Sequence, residues 1–97
     1  MQTLPKPEIG ILEYDLEELQ DIALWALVVF NDDINTFDFV ITTLMDVCRH
    51  SPEQAEQCTV QIHYKGKSSV KSGDFEELAS MRNEICRRGI SAEVMFR

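Results

Sequence analysis

The stretch VVFNDDINTFDFV, residues 28–40, decides the fold, because a strand, an acidic turn and a helix follow one another within it. The apolar run LWALVVF, residues 24–30, is rich in β-branched and aromatic residues and predicts a buried strand. The run ends at Asn31, Asp32 and Asp33. Two adjacent carboxylates repel each other and are costly to desolvate unless a cation pairs with them. The turn is therefore either a solvated connection or a site that receives a cation.

A helix is predicted directly after the acidic turn. Asn35 is expected to cap it, with Asp38 at the third helical position, where a negative charge favours the positive end of the helix. Apolar residues then recur at the i, i+3, i+4 spacing that places them on one helical face, namely Phe37, Val40, Ile41, Leu44, Val47 and Cys48. This periodicity predicts a helix with one side in the core.

A second helix is predicted after a new start signal. Ser51 is the expected cap, Pro52 the first helical residue and Gln54 the partner in a capping box, whereas Gly66 is expected to end the helix. Its inner face is predicted to hold Ala55, Cys58, Thr59 and Ile62. The sequence thus predicts two consecutive helices that pack side by side.

The last third of the chain predicts a strand, a helix and another strand. A short strand is expected over residues 68–70, and a third helix begins at Ser72 or Asp74 and ends at Gly89. Alternation over residues 90–96 predicts a half-buried strand. The inward residues are predicted to be Phe75, Leu78, Ile85 and Cys86 in the helix and Ile90, Ala92, Val94 and Phe96 in the strand. The order β-α-α-β-α-β predicts an α+β sandwich in which a three-stranded antiparallel sheet is covered by three helices.

Length and charge limit the classes of function. The 97 residues suit one domain, which buries roughly 60–70% of its unfolded surface. Residues 1–21 are expected to form a mobile acidic extension, and residues 22–97 the core domain. With a net charge of −8, nucleic acid and anionic membranes are poor candidates as main partners. No apolar run approaches the ~20 residues of a membrane span and no signal peptide is recognised at the start, so a cytoplasmic protein is expected.

Three cysteines, Cys48, Cys58 and Cys86, lie on apolar helical stripes and lack a C-x-x-C spacing, which favours reduced core thiols. An alternative is a metal site that joins Cys48 and Cys58 to His50 and His63. That spacing matches no common zinc pattern. Neither a metal nor a cofactor is therefore expected.

Several of these residues are predicted to meet if the first two helices pack together. Phe37, Val40, Thr59 and Ile62 would then line an apolar recess, and Asn31, Asp32, Asp33 and His63 would rim it. Taken singly, the apolar residues are ordinary core, the Asn and Asp residues are ordinary turn formers, and the histidine is an ordinary surface residue. Together they favour a ligand with a cationic head and an apolar body.

The segments NDDINTFDFV, residues 31–40, and VQIHYKGK, residues 60–67, resemble the ClpS-type adaptor family of the Clp protease. The likeness spans residues 25 to about 80, and the two motifs keep their separation without gaps. It implies a non-enzymatic adaptor, expected to be a monomer. Such an adaptor binds substrate proteins whose first residue is Phe, Tyr, Trp or Leu and passes them to a Clp ATPase of the ClpA or ClpC type.

The resemblance also implies roles for the recess residues. A free N-terminus is an ammonium with three N–H donors, and each donor needs an acceptor when water is excluded. Asn31 would supply its side-chain oxygen, Asp32 a carboxylate and His63 an unprotonated ring nitrogen. Asp33 would attract the ammonium through its negative charge or contact it through a bridging water. The first side chain would enter the recess lined by Phe37, Val40, Thr59 and Ile62. An acetylated N-terminus would leave these acceptors unpaired.

The chain departs from the family pattern at several places. Where the family often has Thr-Pro after the turn, this chain has Asn35 and Thr36, so that Asn35 would cap the helix and touch the peptide backbone differently. Phe37 and Thr59 each stand where methionine is common. Ile90 is a candidate for one further wall of the recess. These changes are expected to alter the volume of the recess and its preference among first residues.

Docking to the ATPase has one candidate residue in the third helix. Glu76 matches an acidic position that the family uses for this contact. The lysine expected shortly afterwards is replaced by Met81 or Arg82. The docking surface is therefore expected to be retuned.

Two rival interpretations remain open at the level of sequence. An interaction domain like the C-terminal domain of the ribosomal stalk protein would share the fold, but it would not require the acidic turn or His63. An enzyme that uses Asp32, Asp33 and Asp38 to hold Mg²⁺ would satisfy that ion's preference for oxygen ligands. No phosphate-binding loop or basic clamp accompanies those carboxylates. Peptide binding that does not depend on magnesium would separate the adaptor from the enzyme.

Overall fold

The computed structural model describes residues 25–97. Its elements are β1 (Trp25–Phe30), α1 (Phe37–Cys48), α2 (Pro52–Lys65), β2 (Lys67–Gly73), α3 (Phe75–Arg87) and β3 (Ala92–Phe96). The order β-α-α-β-α-β and the three-stranded antiparallel sheet confirm the predicted fold class. The predicted acidic extension, residues 1–21, and the predicted start of the core domain at residue 22 lie outside the described residues.

The first strand is the centre of the sheet and explains where the acidic turn lies. The strand order is β2-β1-β3, and β1 pairs antiparallel with both neighbours. At the end of β1, the N–H of Phe30 donates to the carbonyl of Ser91 at 3.0 Å, and the N–H of Asn31 donates to the carbonyl of Gly66 at 2.9 Å. The acidic turn is therefore fixed between the loop that follows α2 and the loop that follows α3.

The core lies where the helices pack against the sheet and against one another. Its fully or nearly buried apolar residues come from every element, namely Leu27, Val29, Val40, Leu44, Cys48, Ala55, Ile62, Val70, Leu78, Ile85, Ile90 and Ala92. The strand β2 is longer than the predicted 68–70. It carries only Val70 as a large apolar residue, so its length follows from pairing with β1. Among the residues that the structure describes, no helix combines the length and apolar character needed to cross a membrane.

The cap of α1 is Thr36, which corrects the prediction of Asn35. The Oγ1 of Thr36 accepts a hydrogen bond from the N–H of Phe39 at 3.1 Å, so that Asp38 occupies the second helical position instead of the third. Thr and Asn are both good caps, and the sequence alone does not separate adjacent candidates. The side chain of Asn35 is engaged elsewhere, as the site geometry shows.

The other two helices begin with the predicted type of cap. The Oγ of Ser51 accepts from the N–H of Gln54 at 3.1 Å, which confirms the start of α2, and Gly66 ends that helix at φ +87°. Only glycine adopts this left-handed conformation without a steric penalty. Of the two starts predicted for α3, the structure selects Asp74, whose Oδ1 accepts from the N–H of Glu77 at 2.8 Å.

Two of the predicted inward aromatic residues lie on the surface. Phe75 is 45% exposed and Phe96 is 68% exposed. Each contacts Trp25 edge-to-face, with ring centroids 5.1 and 5.2 Å apart. The prediction was wrong because the apolar stripe of each element continues past the end of the core, where one face of the ring stays in water.

The three cysteines are free thiols with different exposure. Cys48 is buried, and burial raises the pKa of its thiol to about 11. Cys58 is half-buried, and burial also raises the pKa of its thiol. Cys86 is exposed, so its assignment to the core was wrong. Within residues 25–97, no group of three or more His, Cys, Asp or Glu side chains is arranged to hold a metal ion.

Candidate functional site

A recess of about 300 Å³ opens between the acidic turn, the start of α1 and the end of α2. Its lining consists of Asn31, Asp32, Asp33, Asn35, Phe37, Val40, Thr59, Ile62 and His63. The structure therefore brings together every residue that the sequence predicted for the amino group, for the first side chain and for the peptide backbone. The role of each residue remains a prediction.

The floor of the recess is apolar. Val40 and Ile62 are buried there, one from each of the two packed helices. Thr59 is also buried, and its Oγ1 donates to the carbonyl of Ala55 in the same helix at 2.8 Å. The hydroxyl is therefore satisfied within α2, so a polar residue contributes to the floor without adding an unpaired donor.

Aromatic rings form one rim of the recess. Phe37 is 40% exposed, and its ring meets the imidazole of His63 edge-to-face at a centroid distance of 6.4 Å. The same imidazole meets the ring of Tyr64 edge-to-face at 5.2 Å. Edge-to-face pairs of this kind are mutually attractive. His63 is exposed to solvent, and its imidazole lies between these two rings.

The carboxylate of Asp32 organises the acidic turn. Its Oδ1 accepts from the N–H of Ile34 at 2.9 Å and from the N–H of Asn35 at 2.8 Å, and its Oδ2 accepts from Nδ2 of Asn35 at 2.7 Å. The backbone hydrogen bond from Asn35 is the main reason why the pKa of Asp32 lies below its usual value. A carboxylate has about four acceptor positions. Three are used inside the turn, and about one remains for a ligand.

The remaining polar groups of the recess are unpaired acceptors. Asn31 and Asp33 are exposed, and within residues 25–97 neither side chain has a hydrogen-bond or salt-bridge partner. In the same part of the chain the imidazole of His63 has ring contacts but no hydrogen bond. The recess therefore combines an apolar floor with an acidic, acceptor-rich edge to which the described residues contribute no Lys or Arg.

Two predicted residues lie away from the recess. Ile90 is buried in the core and is not among the residues that line the recess, so it does not supply the predicted further wall. Glu76 is exposed in the first turn of α3. Sequence reasoning missed the carbonyl of Gly89, which accepts a hydrogen bond from Nδ2 of Asn35 at 2.9 Å. No sequence pattern signals a side chain that binds a main-chain carbonyl 54 positions away.

Comparisons with known proteins identify a family and a fold. Residues 20–93 match the profile of the family described as ATP-dependent Clp protease adaptor protein ClpS. Curated ClpS adapter proteins are also similar. One from Campylobacter jejuni (strain 81-176) is 35% identical over 49 residues, which cover 50% of this chain and 51% of that protein. One from Oleidesulfovibrio alaskensis is 38% identical over 50 residues, which cover 52% and 48%.

A third relative extends the match. The ClpS adapter protein of Thermosynechococcus vestitus is 31% identical over 68 residues, which cover 69% of this chain and 72% of that protein. The chain thus spans about half the length of the first two relatives and 72% of the length of the third. Among solved structures, Agrobacterium tumefaciens ClpS2 bound to L-phenylalaninamide superposes with a TM-score of 0.74 at 18% identity, covering 77% of this chain and 98% of that one. At 18% identity, this structural similarity shows the fold alone.

Proposed function

This chain belongs to the ClpS family of ATP-dependent Clp protease adaptor proteins, and from this premise we propose that it binds proteins with a bulky hydrophobic first residue and delivers them to a Clp ATPase. It acts as an adaptor and carries out no chemical step. The observation that carries the proposal is a single recess with unpaired acceptors at its edge and an apolar floor.

The acceptors suit the α-amino group of a free N-terminus. An ammonium group has three donors, and it is satisfied in a closed site only when each one meets an acceptor. The side-chain oxygen of Asn31, the remaining acceptor position of Asp32 and an unprotonated nitrogen of His63 supply three. Asp33 adds negative field nearby. Since no Lys or Arg of residues 25–97 lines the recess, the cation is proposed to come with the ligand.

The floor suits the first side chain of the bound protein. Phe, Tyr, Trp and Leu are the side chains proposed to occupy the space above Val40, Thr59 and Ile62. The solved ClpS2 from Agrobacterium tumefaciens holds L-phenylalaninamide, a molecule with a free α-amino group and a phenyl ring. That ligand has the two features that the recess is proposed to recognise.

Titration of one peptide in two forms tests the binding step. A Phe-first peptide with a free amino group is expected to bind with micromolar affinity, about −8 kcal/mol. Its N-acetylated form is expected to bind at least about tenfold more weakly, because it lacks the charge and leaves the acceptors unpaired. A peptide of the same sequence with Ser first is the control for the floor. Equal affinity of the free and acetylated forms would contradict the proposal.

Delivery to the ATPase is a separate step with its own test. Residues 1–21 are proposed to be dispensable for peptide binding and necessary for delivery. Removing them should leave the peptide affinity unchanged and abolish degradation of a Phe-first substrate by a Clp ATPase of the ClpA or ClpC type with its peptidase. Degradation at the full rate by the truncated protein would show that these residues have another purpose.

The docking surface and the state of the free protein complete the proposal. Glu76 is proposed to contact the ATPase, and it is exposed in the first turn of α3. Glu76→Ala should therefore reduce degradation while it leaves peptide affinity unchanged.

The protein is proposed to act as a cytoplasmic monomer, which sedimentation equilibrium and cell fractionation would test. The net charge of −8 disfavours nucleic acid as a partner.

A further inference from the structure

Asn35 connects two acceptors that belong to distant parts of the chain. Its Nδ2 donates to Oδ2 of Asp32 at 2.7 Å and to the carbonyl oxygen of Gly89 at 2.9 Å. A side-chain amide nitrogen carries two hydrogens, so both are in use. The orientation of the amide is also determined, since only its nitrogen can donate to a carboxylate and a carbonyl.

We propose that Asn35 is a positioning residue of the amino-group site: it holds the Asp32 carboxylate against the rest of the fold so that one acceptor position stays available to a bound ammonium. The inference rests on the proposed function of the recess. It assigns to Asn35 a role different from the expected cap, which Thr36 provides.

The two oxygens of Asp32 are fixed by different parts of its surroundings. The backbone N–H groups of Ile34 and Asn35 hold Oδ1, and they would do so whatever side chain stood at position 35. Among residues 25–97, only the amide of Asn35 donates to Oδ2. Removing that amide therefore releases the oxygen that has acceptor capacity left for the ligand.

The carbonyl of Gly89 gives this arrangement a fixed anchor. Gly89 lies just after α3 at φ +93°, and its N–H donates to the carbonyl of Cys86 at 2.9 Å. An acceptor in the main chain does not change rotamer, unlike a side chain. The amide of Asn35 is also neutral, so it orients the carboxylate without cancelling its charge, whereas a Lys or Arg at this position would compete with the ammonium.

A matched pair of variants isolates the donor. Asn35→Thr and Asn35→Val give side chains of nearly the same shape, but only the first retains a hydrogen to donate. Each variant is titrated with a Phe-first peptide in free and N-acetylated forms, the acetylated form up to millimolar concentration. The ratio of the two affinities is expected to fall about tenfold with Asn35→Val and about threefold with Asn35→Thr, because only the free form uses Asp32.

The ratio separates positioning from loss of folding, because partial unfolding lowers both affinities by the same factor. An unchanged ratio in Asn35→Val would overturn the inference. A ratio of one in the parent protein would instead overturn the proposed function, so the two failures are distinguishable.

A second measurement needs no ligand. Carbon-13 NMR titration of the side-chain carboxyl of Asp32 should show a higher pKa in Asn35→Val than in the parent, because one hydrogen bond to the charged form is lost. The hydrogen bond from the backbone N–H of residue 35, which is the main cause of the low pKa, stays in both proteins. An identical pKa in the two proteins would show that the amide does not hold the carboxylate.

Discussion

Two of the concave regions within residues 25–97 carry carboxylates, and the carboxylates have different partners in each. The larger one, here called the groove, has a volume of about 800 Å³ and lies between α1, α3 and β2. Two of its acids meet cations of the same chain: Nη1 of Arg88 lies 3.3 Å from Oδ2 of Asp46, and Nε of Arg88 lies 3.2 Å from Oε2 of Glu84. Arg87 also pairs with Glu84. The charge of Asp46 and Glu84 is thus matched within the chain.

The recess is less than half as large, and no Lys or Arg of residues 25–97 lines it to pair with its acids. Asp32 is held by neutral N–H donors, and Asp33 has no partner within residues 25–97. Neutral donors orient a carboxylate and leave its charge uncancelled, whereas an ion pair removes most of the attraction for a further cation. The comparison teaches that unpaired acceptors beside an apolar floor, and not the volume of a cavity, identify the place where a cationic ligand fits.

The largest effect on peptide affinity is expected when a carboxylate of the recess is removed, with removal of a carboxylate of the groove as the comparison. Asp32→Ala should weaken binding of a free Phe-first peptide by about 1.5–3 kcal/mol, the scale of a charge-assisted hydrogen bond. Glu84→Ala, which removes a carboxylate of the groove, is the matched control and should leave that affinity unchanged. Isothermal titration of both variants makes the comparison, and equal losses would mean that the two regions do not differ as described.

Asp32→Ala is also expected to lower the free energy of unfolding, which would not be expected if Asp32 were simply a solvated turn residue. The variant loses the acceptor of three hydrogen bonds at the turn. Its free energy of unfolding should therefore fall by about 1–2 kcal/mol, with the domain still folded at 25 °C. Binding measured well below the melting temperature separates this loss from the loss of the ligand contact. A fall in binding that only follows the unfolded fraction would assign Asp32 a purely structural role.

The next effect concerns the two histidines, of which His63 lines the recess and His50 is buried outside it. A ring nitrogen of His63 is proposed to accept a hydrogen from the ammonium, and the side-chain oxygen of glutamine can also accept one. His63→Ala should therefore weaken binding of a free Phe-first peptide by about tenfold, whereas His63→Gln should retain part of the affinity. His50→Gln is the control and should keep the affinity of the parent. Equal affinities of His63→Ala and the parent, measured by isothermal titration, would remove His63 from the amino-group site.

A smaller effect of pH on stability is expected from His50. This residue is buried, with Nε2 2.8 Å from the carbonyl oxygen of Val70, and burial lowers its pKa below the usual histidine value of about 6.5. As the pH falls through 6.5, the unfolded chain takes up a proton that the folded protein does not yet bind. The free energy of unfolding should therefore decrease from pH 6.5 down to the folded pKa and level off below it. Urea unfolding of the parent should show this slope, and His50→Gln should not.

The sequence predicted the members of the recess because their positions follow from local rules. Helical periodicity placed Val40 and Ile62 on facing sides of two consecutive helices, and glycine stopped the second helix next to the turn. The bridge from Asn35 to Gly89 escaped prediction, because it depends on how the loop after α3 folds back on the turn. The exposure of Phe75 and Phe96 escaped it too, since periodicity gives the face of an element but not where the core ends.

The smallest effect is expected at the aromatic rim and concerns selectivity. Phe37 lines the recess, whereas Phe39, in the same helix and 38% exposed, does not line it. Replacing a rigid ring by the flexible side chain of methionine lets the rim adapt to branched side chains. Phe37→Met should therefore shift the ratio of affinities for Leu-first and Phe-first peptides about threefold towards Leu, less than 1 kcal/mol, while the preference for free over acetylated peptides stays. Phe39→Met should leave both ratios as they are. An unchanged Leu-to-Phe ratio in Phe37→Met would show that this ring does not contact the first side chain, and the limit on that side chain would then be set by Val40, Thr59 and Ile62 alone.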